Sequence, residues 1–129
     1  MEAGQRNEYL LKKPEDAKLN MLYAGWSSST GELDYAVRPV LATSSFPPRG
    51  SNESYYSNPA VDQALFYALG TTDRAEKTKL YTEVQEEIWK DAPWAFLVTE
   101  KLLYATSKKL TGMYVMPDAN YFFEEIDLQ

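Results

Sequence analysis

The stretch NPAVDQALFYALGTTDRAEKTKLYTEVQEEIWK, Asn58 to Lys90, holds two helix starts and one helix stop. Asn58 is a side-chain cap, and Pro59 suits the first turn because its missing N–H would be unpaired there anyway. Val61, Leu65, Ala68 and Leu69 recur at helical spacing, and Gly70 ends the run. A second start follows at Asp73, with Glu76 three residues on in a capping-box-like arrangement. Leu80, Val84 and Ile88 lie four apart on one face, with Tyr81 and Trp89 beside them. The pattern predicts helices over Asn58 to Leu69 and Asp73 to Lys90.

Upstream, Lys18 to Gly25 (KLNMLYAG) is apolar at Leu19, Met21, Leu22, Tyr23 and Ala24. Apolar residues on both faces predict a buried strand. The helix pair is expected to pack on a sheet that includes it. Trp26 ends the strand, and Ser27-Ser28-Ser29-Thr30-Gly31 follows as a polar loop. Glu32 to Leu41 has helical spacing at Leu33, Val37, Val40 and Leu41, but Pro39 limits that helix. Gln5 to Lys13 is a short helix ended by Pro14. Thr43 to Ser57, with Pro47-Pro48 and Gly50, is a long loop.

Past Pro93, the segments Trp94 to Val98, Leu102 to Thr106, Leu110 to Met116 and Tyr121 to Ile126 are strand candidates. The class is therefore α/β, a mixed sheet flanked by helices. A two-sided apolar strand needs neighbours on both edges, and few segments here can supply them. The chain reads as a piece of a larger fold.

Composition narrows the function. With 129 residues, the chain is one domain's length and too short for two lobes around a cleft. Hydrophobic residues at 44% argue against disorder. Thirteen Lys and Arg against nineteen Asp and Glu give a net charge of −6, and no basic stripe is present, so nucleic acid is excluded as a partner. There is no cysteine and no histidine, which removes disulfides, thiolate chemistry and the commonest general base and metal ligand. No apolar run reaches the roughly 20 residues of a membrane span. Met1-Glu2-Ala3-Gly4 has no signal-peptide pattern, so either the protein is cytoplasmic or the chain starts inside a longer one.

The motif with most chemistry is Gly25-Trp26-Ser27-Ser28-Ser29-Thr30-Gly31-Glu32-Leu33-Asp34. A hydroxyl-rich loop running into a helix start presents backbone N–H groups and Oγ atoms to a small polar ligand. Spacing alone favours an ordinary helix cap over a ligand site. A serine nucleophile would lack a histidine partner and the Gly-x-Ser-x-Gly elbow. Glu32 with Asp34, and Glu124 with Glu125 and Asp127, are too close in sequence to face each other across a sugar. They read as solvated faces. An enzyme is not indicated. Asn52-Glu53-Ser54 matches the N-glycosylation pattern. Trp89 and Trp94 are assigned to packing, while Trp26 is open between core and ligand platform.

A collinear series of short matches then carries a resemblance. Met1-Glu2-Ala3-Gly4-Gln5-Arg6, Gly25-Trp26-Ser27, Ser29-Thr30-Gly31-Glu32 with Asp34, Tyr56-Ser57-Asn58, Glu76-Lys77, Leu80-Tyr81, Ile88-Trp89, Ala92-Pro93-Trp94, Glu100-Lys101, Ser107-Lys108, Leu110-Thr111-Gly112 and Met116-Pro117-Asp118 occur in order. Together they resemble the carboxy-terminal quarter of periplasmic solute-binding proteins of ABC importers, of the type that binds peptides, nickel and glutathione.

The resemblance implies a type II periplasmic-binding-protein fold with two α/β lobes around the ligand. Residues 1–17 would be the tail of the other lobe. Residues 18–129 would complete the first lobe, starting with the strand that crosses between lobes. It implies ligand capture without chemistry and without a cofactor. Trp26, Ser27, Ser28, Ser29, Thr30 and Asp34 would line one cleft wall. Dipeptide and oligopeptide binders resemble this chain but place an Asp where Ser29 stands, so the resemblance implies that a neutral hydroxyl loop suits glutathione better than a fixed carboxylate would. Asp34 could take the ligand's ammonium, and Arg38 is left without a role. The implied partners are glutathione or a short peptide and a membrane permease, in a periplasmic or other extracytoplasmic location. Surfaces facing absent segments would favour a homodimer of this chain. The alternative is a stand-alone interaction domain using a tyrosine-rich surface, since ten tyrosines are present.

Overall fold

A computed structural model describes residues 3–116 and 119–129, with side chains placed from residue 7 onward. Met1-Glu2 and Pro117-Asp118, parts of the matched motifs, lie outside the described residues. Four helices lie along the chain: α1 (Ala3–Leu10), α2 (Leu33–Leu41), α3 (Pro59–Gly70) and α4 (Arg74–Asp91). Four two-residue strands follow: β1 (Leu110–Thr111), β2 (Tyr114–Val115), β3 (Tyr121–Phe122) and β4 (Asp127–Leu128).

The capping signals act as the sequence predicts. Asn58 Oδ1 accepts from the N–H groups of Ala60 at 2.8 Å and Val61 at 3.4 Å. Asp73 Oδ1 accepts from Ala75 at 2.7 Å and Glu76 at 3.1 Å. Asn58 also donates through Nδ2 to Asp91 Oδ2 at 2.7 Å, which ties the start of α3 to the end of α4. α2 contains Pro39 and ends two residues later, the short helix its sequence implies.

The core is made by helices. Val37, Val40 and Leu41 of α2, with Ala42 beyond it, meet Val61, Ala64, Leu65 and Ala68 of α3 and Tyr81, Val84 and Ile88 of α4 in one cluster. Leu65 and Val84 are fully buried, each stabilising the fold by roughly 1.5–3 kcal/mol relative to exposure. Trp94 and Leu80 pack against the edge of this cluster.

Several expectations are corrected. Lys18 to Gly25 is neither strand nor buried; it is irregular, exposed chain with a bend at Asn20, and Met21 is 89% and Tyr23 74% accessible. A strand exists only when a neighbour pairs its N–H and C=O groups. Among the described residues nothing pairs with this one, so α3 and α4 pack on α2 and not on a sheet. Trp94 to Val98 and Leu102 to Thr106 fail for the same reason and are irregular. Trp89 is not core packing: it is 73% exposed and stacks on Phe96, with ring centroids 5.9 Å apart. It sits about 100° round the helix from Ile88, on a flank that no layer covers. Leu69 is likewise exposed.

The strands Leu110 to Met116 and Tyr121 to Ile126 shorten into one interrupted antiparallel hairpin. β1 pairs with β4 (Leu110 opposite Leu128) and β2 with β3 (Tyr114 opposite Phe122). Between the two ladders, residues 112–113 stand opposite residues 123–126, a bulge that bends the ribbon. Gly112 takes φ +73° there, and a Cβ on it would collide with the carbonyl of Glu125. The result is a mixed helix and strand unit whose described strands form no layer beneath the helices.

Candidate functional site

The loop from Gly25 to Glu32 is the polar stretch leading into α2. Gly31 closes its turn at φ +70°, a left-handed value that glycine adopts without strain. Ser28 Oγ lies 3.3 Å from Thr30 Oγ1 and donates to the Glu32 carbonyl at 2.9 Å. Thr30 Oγ1 accepts from the Glu32 N–H at 3.2 Å. Ser28 and Thr30 therefore fix the loop onto the helix start. Glu32, at the N-cap, makes no side-chain cap bond.

Ser27 and Ser29 point their chemistry elsewhere. Both are exposed, and among the described residues neither hydroxyl has a hydrogen bond. Trp26 is 42% exposed and stacks on Tyr35 of α2, with centroids 6.2 Å apart and planes 26° from parallel. Its indole is thus held by the helix while one side stays accessible. The loop offers two free hydroxyls and a half-open aromatic face, the chemistry for contacting a small polar molecule from one side.

Asp34, in the first turn of α2, is half-buried and already engaged. Arg38 donates to it through Nε at 3.1 and 2.9 Å and also through Nη2. Tyr81 Oη on α4 donates to Asp34 Oδ1 at 3.2 Å. Arg38 Nη2 donates as well to the carbonyl of Leu65 in the middle of α3, at 2.7 Å. The hydrogen bond it donates to Asp34 holds the guanidinium even more firmly charged than usual. Burial, then the Asp34 carboxylate, push the Tyr81 hydroxyl up to about 12. Arg38 thus joins α2 to α3, and through Asp34 the same cluster reaches Tyr81 on α4. An Asp and an Arg at i,i+4 was a legible signal for the pair, but nothing in the sequence pointed to Tyr81 or to the Leu65 carbonyl.

Other motifs fall away from function. Asn52 is fully buried: its Nδ2 donates to the carbonyls of Ala42 and Tyr56, and its Oδ1 accepts from Ser54 and the Tyr56 N–H. An amide so enclosed is not an acceptor for a glycan. Among the described residues no group of His, Cys, Asp and Glu could hold a metal ion. Among the described residues no helix is long and apolar enough to cross a membrane.

No family model matches the chain. Its relatives are nonetheless clear. It is 54% identical over 129 residues to the glutathione-binding protein GsiB of Pectobacterium atrosepticum, an overlap that covers 99% of this chain and 25% of that protein. It is 48% identical over 130 residues to the glutathione-binding protein GsiB of Escherichia coli (strain K12), and equally to that of Shigella flexneri. The chain is homologous to the carboxy-terminal part of these proteins. It spans about a quarter of the length of the relatives it matches.

Proposed function

We propose that this chain forms the carboxy-terminal part of an extracytoplasmic solute-binding protein that captures glutathione for an ABC importer. The observation that carries the reading is identity of 48–54%, sustained over the whole chain, to proteins named for glutathione binding. On this reading the complete protein is a two-lobed type II binding protein in the periplasm. Residues 1–17 end one lobe, and residues 18–129 complete the other. The membrane permease of the importer receives the loaded protein, and no step alters the ligand.

In this reading Trp26, Ser27, Ser28, Ser29, Thr30 and Asp34 make one wall of the cleft. The free hydroxyls of Ser27 and Ser29 support it, because a neutral donor–acceptor pair accommodates a ligand carrying both carboxylates and an ammonium. The accessible side of the Trp26 indole supplies apolar contact to the peptide backbone. Ser28, Thr30 and Asp34 hold the shape of that wall.

The test is a chimaera. The chain replaces the matching carboxy-terminal quarter of Escherichia coli (strain K12) GsiB, and glutathione is titrated by calorimetry. Binding by the chimaera, weakened when Ser29 is replaced with Trp, is the expected result. A folded chimaera that ignores glutathione, beside an unaltered GsiB that binds it, removes the assignment.

A further inference from the structure

The cluster around Asp34 is more than a local ion pair. Asp34 is flanked by Tyr35, which stacks on Trp26, and lies two residues after Glu32, to which Ser28 and Thr30 are bonded. The N-cap and first turn of α2 therefore carry the contacts that join the loop to the helix. That turn is itself held from two directions. Arg38 bridges Asp34 to the Leu65 carbonyl on α3, and Tyr81 reaches Asp34 from α4, 47 residues away in sequence. α2 has only nine residues and contains Pro39, so its own backbone bonds constrain its attitude weakly.

We propose that Arg38 and Tyr81 are positioning residues for the ligand loop, setting the placement of Trp26 and of the Ser27 to Thr30 hydroxyls through Asp34 and the first turn of α2. The proposal rests on the reading of that loop as a cleft wall. The three-way arrangement has the properties such a device requires. The guanidinium fork is planar and fixes direction, which a lysine ammonium would not. Its second acceptor is a backbone carbonyl in the middle of a helix whose Leu65 side chain is fully buried, so the anchor point cannot drift with solvent. The tyrosine hydroxyl reaches across the core from α4 and adds a second fixed origin. The loop is thereby referenced to the core, although its own residues are exposed.

Two readouts separate positioning from bulk stability. In the isotope-labelled chain, the Trp26 indole N–H and the backbone amides of Ser28 and Thr30 are followed by NMR in Tyr81→Phe and Arg38→Met. Both sets of signals should shift while helical content is retained. Signals from the loop that stay in place, while those around Leu65 and Tyr81 move, overturn the proposal. Should Arg38→Met unfold, Tyr81→Phe decides alone, because it deletes one hydroxyl and keeps the ring in the core. In the GsiB chimaera the same substitutions should weaken glutathione binding by about tenfold at temperatures where the protein is fully folded. Unchanged affinity there also overturns the proposal. A parent chimaera that fails to bind glutathione would instead strike the function reading, and the NMR shifts would still decide whether Arg38 and Tyr81 place the loop.

Discussion

Asn52 donates its side-chain amide to the carbonyl of Ala42, ten residues earlier, at 2.9 Å, and it is completely buried in doing so. The same amide donates to Tyr56 at 2.8 Å, and its oxygen accepts from the Tyr56 N–H at 3.2 Å. One side chain thus satisfies the backbone on both sides of the loop that carries the chain from α2 to α3. Replacing it with alanine leaves the carbonyl and the N–H of Tyr56 without these partners, while the Ala42 carbonyl keeps the Ser45 N–H at 3.0 Å. Each such group costs roughly 1–3 kcal/mol, so Asn52→Ala should lower stability by about 2–5 kcal/mol. Urea unfolding followed by circular dichroism measures this, as a lower midpoint with an unchanged slope.

The exposure of Trp89 and the burial of Leu65 make a paired prediction. Leu65 is enclosed by the three core helices, and Leu65→Ala should cost about 2–5 kcal/mol through lost transfer energy and an unfilled cavity. Trp89→Ala removes a larger side chain but one that touches mainly Phe96. Its cost should stay below about 1.5 kcal/mol, the range of an aromatic pair. Thermal unfolding of both variants gives the comparison, and a Trp89→Ala loss as large as that of Leu65→Ala would mean that the indole is covered in solution.

Alkaline titration gives a third test. Tyr81 is pushed to about 12 by burial and then by Asp34, and Tyr56 to about 12 by burial and then by its hydrogen bond to Asp91. Both stand above the ordinary value of 10.0. A phenol whose folded pKa is raised favours the folded state while it is protonated. That contribution is complete below about pH 10 and is lost as pH rises towards about 12. Stability should therefore fall across that window. Burial also raises Tyr55, so phenolate absorbance should show a late-ionising group of tyrosines that loses one member in Tyr81→Phe and another in Tyr56→Phe.

The helix pair was legible in the sequence because its signals are local. Asn58 and Asp73 cap through atoms two or three residues away, and Val61, Leu65, Val84 and Ile88 need only a helical period to find one face. Lys18 to Gly25 was not, because apolar residues on both faces describe an environment and not a conformation. That environment requires strands that these residues do not include. The Ser and Thr loop was legible as polar and as a helix entry. Its anchoring was not, since the bond from Tyr81 to Asp34 spans 47 residues and depends on how α4 lies against α2. Trp89 was misassigned for a related reason: an aromatic beside an apolar stripe reads as core until the neighbouring layer is known to be missing.

The exposed segments set the last expectation, which concerns the chain by itself. Met21, Tyr23, Leu97, Val98 and Leu103 are each more than two-thirds exposed. Among the described residues, Lys18 to Gly25 and Trp94 to Thr106 make no backbone hydrogen bond to another segment. Apolar backbone left unpaired and exposed is a template for strand addition, and no charge or proline interrupts Met21 to Gly25 or Trp94 to Thr99. The 129 residues alone should therefore self-associate, as a homodimer or by exchange of these segments. Light scattering should show a mass above 14.7 kDa that rises with concentration. Charges placed at Met21 and Leu97 should return it to the monomer. The same openness limits ligand binding, because a small-molecule site normally encloses about 70–90% of its ligand and the loop at Trp26 to Thr30 offers one wall. Glutathione should bind the isolated chain far more weakly than it binds the GsiB chimaera. Tight binding by a strict monomer would show that these residues close a site unaided, and the proposed reliance on a second lobe would then be wrong.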